Sequence, residues 1–237
     1  MTGVYKIEIN PIDIEPYRNG NTGIPFMTTF DSGTNGPHVM VMAVTHGNEL
    51  CGAITVDWLL KQQIRPKRGK LTLGFSNWRA YKKFDMQNPL ASRFVDEDIN
   101  RVWNEQVLDG DRITAELERA RELRPLIDEI DFMLDIHSMT TFCEPLILSG
   151  AHEKGRVLAG AIGIPEYVVC DAGHMAGTRM RDYGGFGDPT SFKNALLVEC
   201  GQHWERRSVQ VAHDVTLQFL GHFGLIDRDL VEENLNK

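Results

Sequence analysis

The stretch VMVMAVTHGNELCG, residues 39–52, decides how this chain folds. Residues 39–44 are apolar throughout, the pattern of a strand buried on both faces of a sheet. The run stops at Thr45, His46, Gly47, Asn48 and Glu49, and turns apolar again at Leu50. A buried strand, a short polar turn and a helical pattern over 49–63, with Gly52 its weak point, open an α/β unit. The turn also sets an imidazole and a carboxylate three residues apart. They could hold a metal, or Glu49 could cap the helix beside an ordinary loop histidine.

The same alternation continues outward. Strand candidates are 38–45, 70–77, 131–138, 144–150, 166–171 and 194–201, and helix candidates are 49–63, 111–130, 153–162 and 208–224. Pro125 should bend or break the second helix. Stretches 18–36 and 171–190, rich in glycine and aspartate, read as loops. The expected architecture is a three-layer α/β/α sandwich around a mixed, largely parallel central sheet. No repeat, low-complexity tract or composition break divides the chain, so residues 1–237 read as one domain.

With 237 residues, 42% hydrophobic and 24% charged, the chain is long enough for one substantial core. A net charge of −8 argues against a nucleic-acid backbone or an anionic membrane as partner. A few clustered arginines could still make a local site for a small anion. The cysteines Cys51, Cys143, Cys170 and Cys200 form no C-x-x-C pair, which suits a reducing compartment. The start MTGVYKIEIN lacks the basic and apolar runs of a signal peptide, and no apolar stretch approaches the roughly 20 residues of a membrane span. A cytoplasmic location is expected.

Open α/β sheets place ligands beyond the carboxyl ends of their strands. Three predicted strands end in chemistry: His46 to Glu49, then Asp135-Ile136-His137, then Glu199-Cys200-Gly201. An isolated H-x-x-E is close to chance. A second strand-end histidine and a strand-end glutamate change that weighting. Two imidazoles, one carboxylate and a water make a common catalytic zinc shell. His46, Glu49 and His137 could fill it, leaving Glu199 to carry a proton. Residues 88–103, NPLASRFVDEDINRVW, add Arg93, Asn100 and Arg101, and arginine forks suit carboxylates. The plainer reading pairs those arginines with Asp96, Glu97 and Asp98 on a solvated surface, but coincidence with the metal pattern outweighs it.

Together, THGNE, NPLASRFVDEDINR, LDIHSMT and LLVECGQ resemble the succinylglutamate desuccinylase and aspartoacylase family, among the zinc carboxypeptidase-like hydrolases. The resemblance spans about residues 39–202. It implies one Zn2+ per chain held by His46, Glu49 and His137. It implies that Arg93 polarises the scissile carbonyl and stabilises the oxyanion. Asn100 and Arg101 would grip the substrate's α-carboxylate, and Glu199 would activate water and protonate the departing amine. Asp98 would orient the arginines. The implied reaction cleaves the amide bond of a small anionic N-acyl amino acid, with no nucleic acid, no membrane and, as an open option, a homo-oligomer as partner.

Two departures stand out. The family usually carries a further C-terminal β-rich domain, whereas 38 residues follow Glu199 here and read as helical. The family also places a substrate-binding arginine shortly before the catalytic glutamate, where this chain has Arg179 and Arg181 farther upstream. With Tyr183 and glycines 184, 185 and 187 they are expected to bind a second carboxylate from a mobile lid, or else to be ordinary surface charges. His174 and His203 are further candidates near the mouth, each more often a surface or supporting histidine than a ligand. A carboxypeptidase-type peptidase is the alternative with the same chemistry, and a catalytically silent metal- or ligand-binding domain the alternative of another class. A serine or cysteine hydrolase is disfavoured: no G-x-S-x-G elbow is present, and Cys200 faces away from Glu199 on a strand.

Overall fold

A computed structural model describes residues 5–235. Its strands are β1 (Met27–Asp31), β2 (His38–Ala43), β3 (Lys70–Phe75), β4 (Phe132–Met139), β5 (Leu146–Leu148), β6 (Tyr167–Val169) and β7 (Asn194–Gln202). They form a sheet in the order β1-β3-β2-β4-β7-β5-β6. The pairs β2–β3, β2–β4, β4–β7 and β5–β6 are parallel, while β1–β3 and β5–β7 are antiparallel. The sheet is therefore mixed and largely parallel, as expected. The helices are α1 (Leu50–Lys61), α2 (Trp78–Tyr81), α3 (Glu105–Leu108), α4 (Ala115–Asp128), α5 (Glu153–Ile162), α6 (Arg206–His222) and α7 (Arg228–Asn234).

Side chains alternate across the sheet and feed two cores. Val39, Val41 and Ala43 of β2, Leu134 and Ile136 of β4, and Leu196, Val198 and Cys200 of β7 pack with α1, α5 and α6 on one face. Met40, Met42, Met133 and Ala195 point the other way, against Leu117, Ala120, Leu123 and Ile127 of α4 and against Trp103, Met180 and Phe186. Burial on both faces is why these strands read as continuous apolar runs. Gly52 matters here: a Cβ would meet Ala43 and Ile136 at 3.0 and 3.1 Å, so its absence lets α1 lie close to the sheet. The supposed weak point of the helix is a packing requirement.

Two elements differ from expectation. β1 lies inside the 18–36 stretch read as a loop, because only Met27 of its five residues is buried and its Thr-Thr centre carries no apolar signal. It pairs along the edge of β3, with the hydroxyls of Thr29 and Thr72 bonded at 2.8 Å. Pro125 does not break α4, which runs to Asp128. The bond Pro125 cannot donate to the carbonyl four residues back is lost, and the packing of Leu123, Leu126 and Ile127 in the core carries the helix through its last turn. After β7 the chain forms α6 and α7, and among the described residues no helix is long and apolar enough to cross a membrane.

Candidate active site

β2 leaves the sheet through a strained turn. Val44 has φ +61°, a left-handed conformation that costs a β-branched residue about 1–3 kcal/mol. Thr45, His46 and Glu49 follow, all buried. A Cβ on Gly47 would come within 2.3 Å of the Ser92 carbonyl and 2.5 Å of the Tyr81 nitrogen, so only glycine lets the 80–93 region pack against this turn. Gly47 N–H donates to the Arg93 carbonyl at 3.0 Å, tying the two segments together. Glu49 is the residue before α1, but its side chain makes no capping bond. The helix-cap explanation of H-x-x-E is thereby removed.

Instead the Glu49 carboxylate lies between two imidazoles. His46 Nδ1 is 2.8 Å from Glu49 Oε1, and His137 Nδ1 is 3.0 Å from Glu49 Oε2. The two rings stand 5.0 Å apart at 67°. The outward nitrogens face carboxylates as well: His46 Nε2 is hydrogen-bonded to Asp98 Oδ1 at 2.9 Å, and His137 Nε2 makes an ion-pair contact with Asp135 Oδ2 at 2.8 Å, without hydrogen-bond alignment. Asp135 in turn accepts the Thr45 hydroxyl at 2.7 Å. A carboxylate bonded to the far nitrogen fixes a ligating histidine's tautomer with the lone pair turned inward, for His46 on Nδ1.

The electrostatics favour a positive charge at this point. Burial alone would raise the Glu49 carboxyl, but the neighbouring imidazoles outweigh it and pull it well below the usual carboxylate range. Burial alone would lower His137, but Asp135 and Glu49 outweigh it and push it well above the usual imidazole range. One ligand atom from each of His46, Glu49 and His137 lies within 4.8 Å of the others. Two nitrogens and a carboxylate oxygen are a donor set suited to a zinc-like divalent ion. Nearby, Glu199 Oε2 is buried with no hydrogen-bond partner, as befits an oxygen waiting for a ligand.

The three residues line one cavity of about 330 Å³ with Arg93, Asn100, Arg101, Arg179, His174, Thr140, Leu197 and Glu199. Glu199 sits beside His137 in the β4–β7 register. Burial is the main reason its carboxyl is pushed up to about 8, with Glu49 and Cys51 adding to the rise against His137 and Arg93. Arg93 Nη2 lies 3.0 Å from both Asp98 Oδ2 and His46 Nε2. Asn100 Oδ1 accepts the Met180 N–H at 2.8 Å, which leaves its amide nitrogen free to donate into the cavity. Burial lowers the Arg101 guanidinium, and the nearby charges of Arg93 and Arg179 add to this against Asp98. An acidic protein thus carries a locally cationic pocket.

Not every candidate arrives there. Arg181 lines a neighbouring cavity of about 310 Å³ and donates to the Ser149 and Ala195 carbonyls at 2.9 Å. Tyr183 lines neither; its hydroxyl accepts from Arg124 Nε at 3.0 Å and its ring packs on Trp103. Met180, Arg181, Tyr183 and Phe186 are buried, so this segment is packed structure and not a loose lid. His174 stands between the two cavities. His203 is buried beneath the site, bonded to Ser138 at 2.8 Å and to Thr140 at 3.3 Å. Asp98 supports His46 as well as Arg93. Asp135, which the sequence marks only as part of a strand end and without a role, faces His137, as D-x-H on a strand puts both side chains on one face.

The fold and cluster define a class: an α/β protein that presents a His-Glu-His set, a further glutamate and several arginines at the carboxyl ends of parallel strands. More particularly, the chain belongs to the succinylglutamate desuccinylase/aspartoacylase catalytic-domain family, whose model matches residues 35–220. It is 33% identical over 118 residues to an N-acyl-aromatic-L-amino acid amidohydrolase (carboxylate-forming) A of Danio rerio, covering 44% of this chain and 33% of that protein. The product-bound ectoine utilization protein EutE (DoeB) of Ruegeria pomeroyi superposes with a TM-score of 0.63 at 18% identity, over 85% of this chain and 61% of that one. Murine aminoacylase 3 gives 0.57 at 22% identity, over 79% and 66%. The chain spans a third of the length of its fish relative and less than two thirds of these structures, whose likeness establishes the fold.

Proposed function

We propose that this chain is the catalytic unit of a zinc-dependent amidohydrolase that cleaves a small, anionic N-acyl amino acid into a carboxylate and a free amino acid. The observation that carries the reading is the convergence on one cavity of the His46-Glu49-His137 set, Glu199 with an unpartnered oxygen, and three arginines. A bound zinc supplies Lewis acidity toward the scissile carbonyl and toward water. Glu199 takes the proton of the attacking water and returns it to the leaving nitrogen, a task for which its place on the cavity wall beside His137 suits it. Arg93 faces the oxyanion, and preorganised donors of this kind are worth about 3–4 kcal/mol each. Asn100 and Arg101 hold the α-carboxylate, and Arg179 is placed for a second one.

The family match and the amidohydrolase name of the fish relative support the reaction class. The test is metal analysis together with a panel of acetyl, succinyl and dipeptidyl amino acids. One equivalent of zinc and turnover of acyl amino acids are expected. Preference for dipeptides would turn the reading toward a carboxypeptidase-type peptidase. Failure to bind a divalent ion would remove the proposal. A metal-loaded protein inert to the whole panel, whose ligand affinity survives Glu199→Gln, would be a binding domain.

A further inference from the structure

Arg93 and Asp98, which meet each other and His46 at the cavity wall, bracket residues 94–97, a segment with no regular secondary structure. Such a segment cannot hold its shape by its own ladder of bonds, so its backbone groups need partners elsewhere. They find one side chain. The N–H groups of Val95, Asp96 and Glu97 donate to the Glu116 carboxylate at 2.6, 3.0 and 3.2 Å. Asn77 Nδ2 adds a further bond to it at 3.0 Å. Glu116 is 0% exposed, and among the described residues it makes no ion pair with any lysine or arginine.

The mooring continues in both directions. Asn77 donates its backbone N–H to the Val44 carbonyl at 2.8 Å, at the strained turn that delivers His46. On the other side, Ala115 N–H donates to Asp96 Oδ2 at 2.8 Å and the Thr114 hydroxyl to Glu97 Oε1 at 2.5 Å. The first turn of α4 and the 95–97 backbone are therefore laced together. Arg93 lies two residues before the first moored amide, and Asp98 one residue after the last.

We infer that Glu116 is a positioning residue of the active site: by gathering the 95–97 amides it sets Arg93 and Asp98 against His46 and the cavity. It touches neither substrate nor metal ligand and acts through Arg93. A carboxylate is required because both of its oxygens accept, whereas a carboxamide presents a donor at one of them. A buried acceptor lost in this way leaves an N–H without a partner, and the segment shifts to recover it. Misplacement of a catalytic group by about 1 Å can cost on the order of 100-fold in rate.

The experiment compares zinc-loaded wild type, Glu116→Gln, Arg93→Ala and the double variant on whichever acyl amino acid of the panel wild type cleaves fastest. For its kinetic arm the inference rests on the amide-hydrolysis reading. Glu116→Gln should lower kcat by about 10- to 100-fold with KM within about twofold and zinc stoichiometry unchanged. In the Arg93→Ala background the same change should cost less than about twofold, since its target is gone. Equal losses in both backgrounds, or an intact kcat, overturn the inference. If wild type cleaves no acyl amino acid, the reaction reading falls and amide hydrogen exchange decides this one. Exchange at least tenfold faster at residues 95–97, with β4 unchanged, supports it; unchanged exchange overturns it. If the glutamine variant does not fold, Glu116→Asp, which withdraws the carboxylate by one methylene, carries the same readouts.

Discussion

Two arginine-bearing segments approach the cavity, residues 93–101 and 179–183, and their arginines end in different employment. Arg93 and Arg101 share one carboxylate, Asp98, with Arg93 Nη1 also 3.9 Å from Glu49 Oε1, and both line the cavity. Arg181 is 3% exposed, with its guanidinium closed on two backbone carbonyls and on Asp182. Arg179 stands between these cases, with one nitrogen on Asp171 at 2.8 and 3.0 Å while it lines the cavity. What separates a substrate-facing arginine from a structural one is the number of acceptors the fold has already placed around it. Residue type and proximity in sequence do not decide it.

That contrast is broken most severely by removing what the cationic segment surrounds. Glu199→Gln keeps the side chain's size and abolishes proton transfer, so kcat should fall by about 10³- to 10⁴-fold with zinc content unchanged. A loss of zinc instead would make Glu199 a ligand. Arg93→Ala should reduce kcat by about 10²- to 10³-fold, again with zinc retained. Intact kinetics in the zinc-replete variant, with weakened metal binding, would place Arg93 in the service of His46 alone. Both are measured by steady-state kinetics beside metal analysis.

The two arginines of the second segment should then part company. Arg181→Met leaves Asp182 and two carbonyls without their donor, and should destabilise the fold by about 2–4 kcal/mol while kcat/KM per folded molecule stays near wild type. Arg179→Ala should do the reverse, raising KM about tenfold for a dicarboxylic substrate with little change in the urea midpoint. If Arg181→Met instead alters KM selectively, the neighbouring cavity belongs to the substrate site.

Much of this was legible in the sequence, and the limits have physical causes. Six strands and the four long helices could be located from apolar patterns, which burial on both sheet faces leaves in β2, β3, β4 and β7, whereas β6 is apolar though exposed. The edge strand β1 could not, since a half-exposed Met-Thr-Thr-Phe-Asp run has none. His46 and Glu49 could be marked because they sit in the turn after a readable strand, and His137 and Glu199 because they lie near the carboxyl ends of two others. Asp135 was within reach from its two-residue spacing to His137. Glu116 was not, because it is one of several charged residues in the first turns of a helical run, and only the fold shows that its carboxylate turns inward to three amides far off in sequence. Arg181 and Tyr183 were misplaced for the converse reason: in a glycine-rich stretch, nothing in the sequence marks which side chains the core will enclose.

The same contrast between a charged group used and one enclosed extends to the histidines, with a smaller effect. His137 is surrounded by carboxylates, whereas His203 touches the hydroxyls of Ser138 and Thr140. Burial, the largest cause, lowers His203 from 6.5 to about 4, aided by the charges of His46, Arg93 and His137 and opposed by Glu49. The folded protein therefore resists a proton that the unfolded chain accepts near pH 6.5. The stability this contributes is fully present above that pH and is lost as the pH falls from about 6.5 toward 4. Between pH 7 and pH 5 the loss attributable to this group is about 2 kcal/mol. His203→Gln cannot titrate, so its urea midpoint should decline less than that of wild type across this window. Both proteins are measured with chelator present, which keeps release of a bound metal out of the comparison. Parallel decline would mean that His203 takes its proton in the folded state as readily as in the unfolded one, and that the hydroxyls around it give way to admit the charge.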